Sequence, residues 1–207
     1  MTSPNRTRSP ELREKAQLMS ASEIERTLVR LAHEIVEKNA GVTNLGLVGI
    51  RRRGVPLAER LARLVQRIER TRVPVGTLDI TFYRDDLSTV AAKPVVQKTP
   101  MEFEVAGMDI ILVDDVLYTG RTIRAALDAL FDHGRPRRVQ LCVLIDRGHR
   151  ELPIEAAFIG RTVQTTDDEV IEVKLKETDR LEKVLLVTKE PALRSLPKKV
   201  GRSSADA

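Results

Sequence analysis

Ile110-Ile111-Leu112-Val113-Asp114-Asp115-Val116-Leu117-Tyr118-Thr119-Gly120-Arg121-Thr122 is the stretch whose reading decides the fold. Its first four residues are apolar and rich in β-branching, the composition of a short buried strand. Asp114 and Asp115 are expected where that strand ends. Thr119 to Thr122 then opens a segment whose apolar positions Ile123, Ala126, Leu127 and Leu130 recur at helical spacing. Strand, acidic pair, small polar turn and helix start together describe a phosphate cradle, because turn amides and the positive helix end converge on one spot. Gly120 lets the backbone approach closely, and Thr119 and Thr122 add hydroxyl donors.

The two carboxylates would repel a phosphate held by that turn. They make sense if the ligand presents hydroxyls or a chelated divalent metal a few ångströms away, as a ribose 5-phosphate does with its 2′,3′-diol. An acidic strand end beside a helix cap is the plainer structural alternative, and the complete thirteen-residue run argues against it. An ATPase strand ending in Asp is a further comparison, but no G-x-x-x-x-G-K-[ST] loop exists to partner it. The run resembles the phosphoribosyl-pyrophosphate (PRPP) signature of type I phosphoribosyltransferases.

With 207 residues, 42% of them hydrophobic, the chain is long enough for one domain with a sizeable core. It shows neither a secretory h-region nor an apolar run of membrane-spanning length, so a cytoplasmic protein without membrane contact is expected. Cys142 lies inside the apolar run Val139 to Ile145 and reads as a buried small hydrophobe rather than a nucleophile. The formal charge of +5 belongs to the chain ends. Residues 1–15 carry four cations against two acids, and residues 189–207 carry five against two, so the stretch between is formally neutral. The termini, residues 1–20 and 189–207, are therefore read as basic flexible tails flanking one domain over 21–188.

In chain order, Ser22 and Glu25 form a capping-box pattern ahead of a helix with Ile24, Leu28, Leu31 and Ile35 on one face. His33 falls on its polar face beside Arg26 and Arg30. Leu45 to Ile50 reads as a parallel strand running into Arg51-Arg52-Arg53-Gly54 and a helix with Pro56 in its first turn. Three arginines in one turn repel each other unless an anion neutralises them. Such a turn faces the crevice beyond the strand carboxyl ends, and pyrophosphate is the natural candidate. Arg60, Arg63, Arg67 and Arg70 line the outer side of the following helix, a pattern that suits a solvated face better than a phosphate-backbone contact.

The next strand is expected within Val73 to Tyr83. Arg84-Asp85-Asp86-Leu87 ends it, and a long connection follows, predicted to be a hairpin-like lid near residues 84–104. Asp85 and Asp86 read as a turn rather than a metal site. Val139 to Ile145 gives another strand, ending at Asp146-Arg147-Gly148-His149-Arg150-Glu151-Leu152-Pro153 on the crevice side. Residues 151–188 are read as a hood: a short hairpin of Phe158 to Val163 and then Thr165 to Asp168 that caps a base, then an edge strand Glu169 to Leu175 paired with Val184 to Val187.

Ala32-His33-Glu34-Ile35, Gly49-Ile50 with Arg53-Gly54, Leu78-Asp79-Ile80-Thr81 with Tyr83-Arg84-Asp85-Asp86-Leu87, Val113 to Thr122, and Asp146 to Pro153 occur in one order. Over roughly residues 22–187 this resembles the bifunctional pyrimidine operon regulators with uracil phosphoribosyltransferase activity, the PyrR family. The resemblance implies an α/β, type I phosphoribosyltransferase fold: a central parallel sheet flanked by helices, with a small hood. It also implies Mg²⁺-dependent reaction of uracil with PRPP to give UMP and pyrophosphate, assembly as homodimers or higher oligomers, and a UMP-responsive contact to the pyrimidine operon leader RNA. The departures lie at Arg52, where Thr is usual, at Val29, where a hydroxyl residue is common, at Glu155 in place of Arg, and at Thr162-Val163-Gln164. They bear on RNA contact more than on catalysis, because an anion beside phosphates loses one counterion-releasing contact and adds repulsion.

Carried onto this chain, Asp114 and Asp115 become the catalytic candidates, holding the diol and an oxocarbenium-like sugar. Val113, Val116, Leu117, Tyr118, Thr119, Gly120, Arg121 and Thr122 form the PRPP phosphate site. Arg52, Arg53 and Gly54, with Arg84 and Lys93 from the lid, are the pyrophosphate candidates. Arg147 and Val163 lie on the base side, and His33, Arg147, His149 and Arg150 are the RNA-binding candidates. No direct protein ligand for the metal is assigned, and no general base for uracil N1 emerges. Two alternatives remain beside the leading reading: a nucleotide-sensing RNA regulator with incidental catalysis, or catalysis alone. Transfer to a purine base is a third.

Overall fold

A computed structural model describes residues 12–83 and 101–189. Its centre is a five-stranded, all-parallel sheet in the order β3-β2-β4-β5-β6. These strands are β2 (Leu45–Ile50), β3 (Val75–Leu78), β4 (Asp109–Leu117), β5 (Arg138–Asp146) and β6 (Phe158–Thr162). β2 is buried along its whole length, as befits a strand covered on both faces. Helices α1 (Ala21–Lys38) and α2 (Gly54–Glu69) cover one face, and α3 (Arg121–Phe131) covers the other. Alternation along β4 divides its side chains accordingly: Ile111 and Val113 join the α1–α2 core, Ile110 and Leu112 the α3 core.

A second, antiparallel sheet runs in the order β1-β8-β7, from β1 (Leu12–Ser20), β7 (Glu169–Lys174) and β8 (Lys183–Lys189). Its residues Met19, Ile171, Val173 and Val184 pack into the same core as α1 and α2. Between β7 and β8 lies a single helical turn, α4 (Lys176–Asp179).

Several expectations are corrected here. The lead-in expected to be flexible through residue 20 is a strand from Leu12 onward, held by its backbone ladder to β8. The α1 capping box uses Ser20 and Glu23, not Ser22 and Glu25: the Ser20 hydroxyl accepts from the Glu23 amide at 3.4 Å, and Glu23 accepts from the Ser20 amide at 2.8 Å. Those bonds to Ser20 hold the Glu23 carboxyl down at about 2. The hairpin expected over Phe158 to Val163 is instead β6, a parallel edge strand of the main sheet whose Phe158 pairs with Cys142. The pairing of the Glu169 and Val184 strands is as expected. Cys142 is buried, and burial pushes its thiol up to about 12.

The lid lies largely outside the described residues, and with it Arg84, Asp85, Asp86 and Lys93. Its returning end, predicted to belong to the lid, is packed down instead. A Cβ on Gly76 would meet the Met101 sulfur at 2.1 Å, and one on Gly46 would meet the Phe103 ring at 2.9 Å. Tyr83, just before the segment, donates its hydroxyl to Asp132 at 2.5 Å, which pushes the phenol up to about 12.

Candidate active site

The acidic pair does not end its strand. β4 continues through it, with Asp114 paired to Val143 and Val116 to Ile145. Alternation is not kept through the pair, since Val116 packs on the α1–α2 core and Leu117 on the α3 core; Asp115 lies within reach of the Arg53 charge. The Asp114 carboxylate accepts from the Asp115 amide at 2.9 Å, and that of Asp115 from the Val116 amide at 3.0 Å. Asp114 is only 7% exposed, and burial first, then the neighbouring charge of Asp115, raises its pKa well above the ordinary carboxylate value. Burial also raises Asp115, while the Asp114 hydrogen bond and the Arg53 charge pull it back. The two acids are thus unequal: one is sealed in, and the other is partly open and electrostatically coupled to the arginine turn.

α2 and α3 both begin at the carboxyl end of the sheet, and among the described residues neither has a side-chain N-cap. α1, whose start lies beside the carboxyl end of β6 where Arg161 reaches Glu23 at 3.3 Å, has its complete capping box. Both α2 and α3 turn their positive ends toward the carboxyl side of the sheet, and at α3 the Thr119 hydroxyl accepts from the Arg121 amide at 3.4 Å. At α3 the cap is Gly120 with φ of 92°, a left-handed conformation favouring glycine. A Cβ there would touch Leu152 and Ile154 at 3.4 Å. The amides of Glu151 and Leu152 donate to the Thr119 carbonyl at 3.0 and 3.2 Å, and Arg121 pairs with Glu151 at 2.6 Å. The Asp146-to-Pro153 run therefore braces the phosphate turn. Val113 and Leu117 are buried in the cores behind it, Val116 packs on the α1–α2 core, and Thr119 and Thr122 are half-buried.

At α2, Gly49 and Gly54 permit a close approach. A Cβ on Gly54 would lie 2.3 Å from the Val113 carbonyl, and one on Gly49 2.5 Å from the Val55 backbone. This presses the arginine turn against β4 beside Asp114, and the Arg51–Arg52 peptide is cis. The three arginines are not equivalent. Arg51 reaches Asp79 at 3.4 Å, Arg53 makes a two-point pair with Asp179 of α4, and Arg52 is exposed with no partner among the described residues.

The base-side candidates both reach the strand ends: the Arg147 amide donates to the Leu117 carbonyl at 3.1 Å, and the Val163 amide to the Asp146 carbonyl at 2.8 Å. The Arg147 guanidinium lies 3.9 Å from the Tyr118 ring centroid, and His149 meets the same ring edge-on. The RNA-facing set needs correction. Arg147 is buried and bonds Thr165 at 3.1 Å, and Arg150 spends its donors on Asp146 and on the Tyr118, Gly148 and Ile154 carbonyls. Of the four, His33 and His149 are exposed.

Asp179, the partner of Arg53, escaped sequence reasoning because it lies 126 positions away and carries no motif. Glu151 and Asp146 lie inside the Asp146-to-Pro153 run, which by itself gives no sign of what they hold. Among the described residues no three His, Cys, Asp or Glu side chains form a metal cluster. Two adjacent carboxylates beside an anion-binding turn suit Mg²⁺, which keeps waters and shares substrate phosphates rather than sitting in a protein cage.

Comparison with known proteins identifies the family and the fold that carry this site. The phosphoribosyl transferase domain model matches residues 15–178. The bifunctional protein PyrR of Pelotomaculum thermopropionicum is 59% identical over 175 residues, covering 84% of this chain and 97% of the relative. A Thermus thermophilus counterpart is 56% identical over 181 residues, covering 87% of this chain and 100% of the relative. Among solved structures, a mutant hypoxanthine phosphoribosyltransferase of Trypanosoma cruzi in its ternary substrates complex superposes with a TM-score of 0.67 at 18% identity, covering 86% of this chain and 97% of the other. The hypoxanthine-guanine phosphoribosyltransferase of Bacillus anthracis gives 0.63 at 19%, covering 84% and 99%. At such identities these structures speak for the fold.

Proposed function

Because the chain belongs to the bifunctional PyrR family of phosphoribosyltransferases, we propose that it transfers the phosphoribosyl group of PRPP to N1 of uracil, giving UMP and pyrophosphate. We also infer that the UMP-bound protein contacts the leader RNA of the pyrimidine operon. The observation that carries the first part is the pair of helix starts without an N-cap side chain at the carboxyl end of the sheet, with the Asp114–Asp115 pair between them along β4. Two anion sites separated by a carboxylate match a ligand with a phosphate at C5′, a pyrophosphate at C1′ and hydroxyls between them.

In this reading the α3 amides, with Thr119 and Thr122, bind the 5′-phosphate. Arg52 and Arg53 and the amides after Gly54 bind the pyrophosphate, where negative charge grows as the C1′–O bond breaks. Asp115 holds the ribose diol and stabilises the positive sugar, while Asp114 fixes the strand end from within. Asp115 is the side chain that would lie nearest a Mg²⁺ shared with the substrate oxygens, and such an ion would supply charge neutralisation on the leaving group. Arg147 and Val163 orient the base by shape and polarity. Exposed His33 is the side chain of that set available for RNA, since His149 bonds the Thr165 carbonyl at 2.6 Å, and exposed Glu155 and Val29 weaken that face.

The test is direct. Purified protein with Mg²⁺ and PRPP is offered uracil, guanine and hypoxanthine side by side. UMP should form from uracil alone, and Asp115→Asn should lower kcat at least about 100-fold. Absence of UMP from the wild-type protein would overturn the enzymatic reading. Binding to the leader RNA, with and without UMP, decides the regulatory one.

A further inference from the structure

We propose that Asp179 is a positioning residue for the pyrophosphate turn, setting the orientation of Arg53 and so tying affinity for pyrophosphate and PRPP to the antiparallel sheet. The inference rests on Arg53 being a pyrophosphate ligand. Arg53 presents one edge of its guanidinium to Asp179, Nε to Oδ2 at 3.1 Å and Nη2 to Oδ1 at 2.8 Å. A guanidinium is planar with five donors, so engaging the Nε–Nη2 edge fixes its plane and leaves the Nη1 side for another anion. The charge of Asp115 also acts on Arg53, which places the cation between a carboxylate of the second sheet and one of the crevice.

Asp179 is itself held. Its Oδ2 accepts from the Leu175 amide at 3.1 Å and from the Thr178 hydroxyl at 2.6 Å. α4 is pinned in turn by Arg60 of α2, which pairs with Glu177 at 2.7 Å and with Glu182. The carboxylate therefore places the arginine, not the reverse. Of the three arginines in the turn, only Arg53 is fixed at two points among the described residues. A cation already placed loses less rotamer freedom when its ligand arrives, and that saving is the gain in affinity.

A double-mutant cycle tests this with Arg53→Ala, Asp179→Ala and the double variant. Asp179→Asn serves as the isosteric backup that keeps the residue's size and removes its charge. Pyrophosphate binding is measured by calorimetry with Mg²⁺ present, alongside KM for PRPP and for uracil and the melting temperature. The expected result is roughly tenfold weaker pyrophosphate binding and a matching rise in KM for PRPP, with KM for uracil unmoved and no further loss when Arg53 is already Ala. Equal losses in both backgrounds, a change in melting temperature alone, or tighter binding on releasing Arg53 would overturn the proposal. Protein that binds pyrophosphate but does not convert uracil would defeat the functional reading, while the cycle would still decide the role of Asp179.

Discussion

Asp114 shows what a site costs its protein. A carboxyl whose pKa is raised in the folded state binds protons more tightly there than in the unfolded chain. Below the ordinary carboxylate range both states are protonated and the residue is neutral to stability. As pH rises through that range toward the folded value, the unfolded state ionises first and gains, so stability falls. Asp114→Asn should therefore melt higher than wild type at pH 7, by roughly 3–8 °C, with the gap closing below about pH 4. Uracil transfer should fall in the same variant. Thermal melts across pH check the first part, and a lower melting temperature at pH 7 would contradict it. Arg53 is the opposite case: its pair with Asp179 lowers that carboxyl far below its usual range, so that contribution is present at neutral pH and lost in strong acid.

At the scale of elements, the helices divide by how they begin. α1 closes its first turn with a complete capping box, whereas the N-cap residues of α2 and α3 make no side-chain cap and only the Thr119 hydroxyl reaches the Arg121 amide. Ser20→Ala should accordingly lower the melting temperature by roughly 2–4 °C, with KM for PRPP unchanged, because the Ser20 bonds serve the α1 cap and touch neither the turn before α2 nor the turn before α3. A raised KM would mean that β1 and α1 reach the site. The existence of these helices was legible from spacing alone, in Ile24, Leu28, Leu31 and Ile35 and in Ile123, Ala126 and Leu130. The capping residue was misplaced by two positions, since Ser20 and Ser22 both precede a Glu at the right distance and only the backbone geometry chooses between them.

For the molecule as a whole, the antiparallel sheet joins residues near both ends of the chain. β1 covers one edge of β8, while β7 covers the other and leads into α4 and Asp179. Deleting residues 1–20 should expose β8 and open the space filled by Met19, giving a protein that aggregates or melts well below wild type. Size-exclusion chromatography and a melting curve decide it, and an unchanged melt would show that the sheet does not need β1. No helix among the described residues is long and apolar enough to cross a membrane. The reading of residues 12–20 as part of a tail failed because β1 mixes Arg13, Glu14 and Lys15 into its run, and it is held by backbone bonds to β8 that side-chain composition does not report.

From its residues alone the chain disclosed the parallel sheet, the phosphate turn and the arginine turn, because each depends on neighbours within a dozen positions: β-branched runs, a glycine at a positive φ, helical spacing. Tertiary structure alone decided that β4 runs through its acidic pair, that Arg147 and Arg150 brace the site from within, and that Asp179 holds Arg53. Those are contacts between residues far apart in sequence, and charge or polarity at one position carries no record of the partner that folding brings to it.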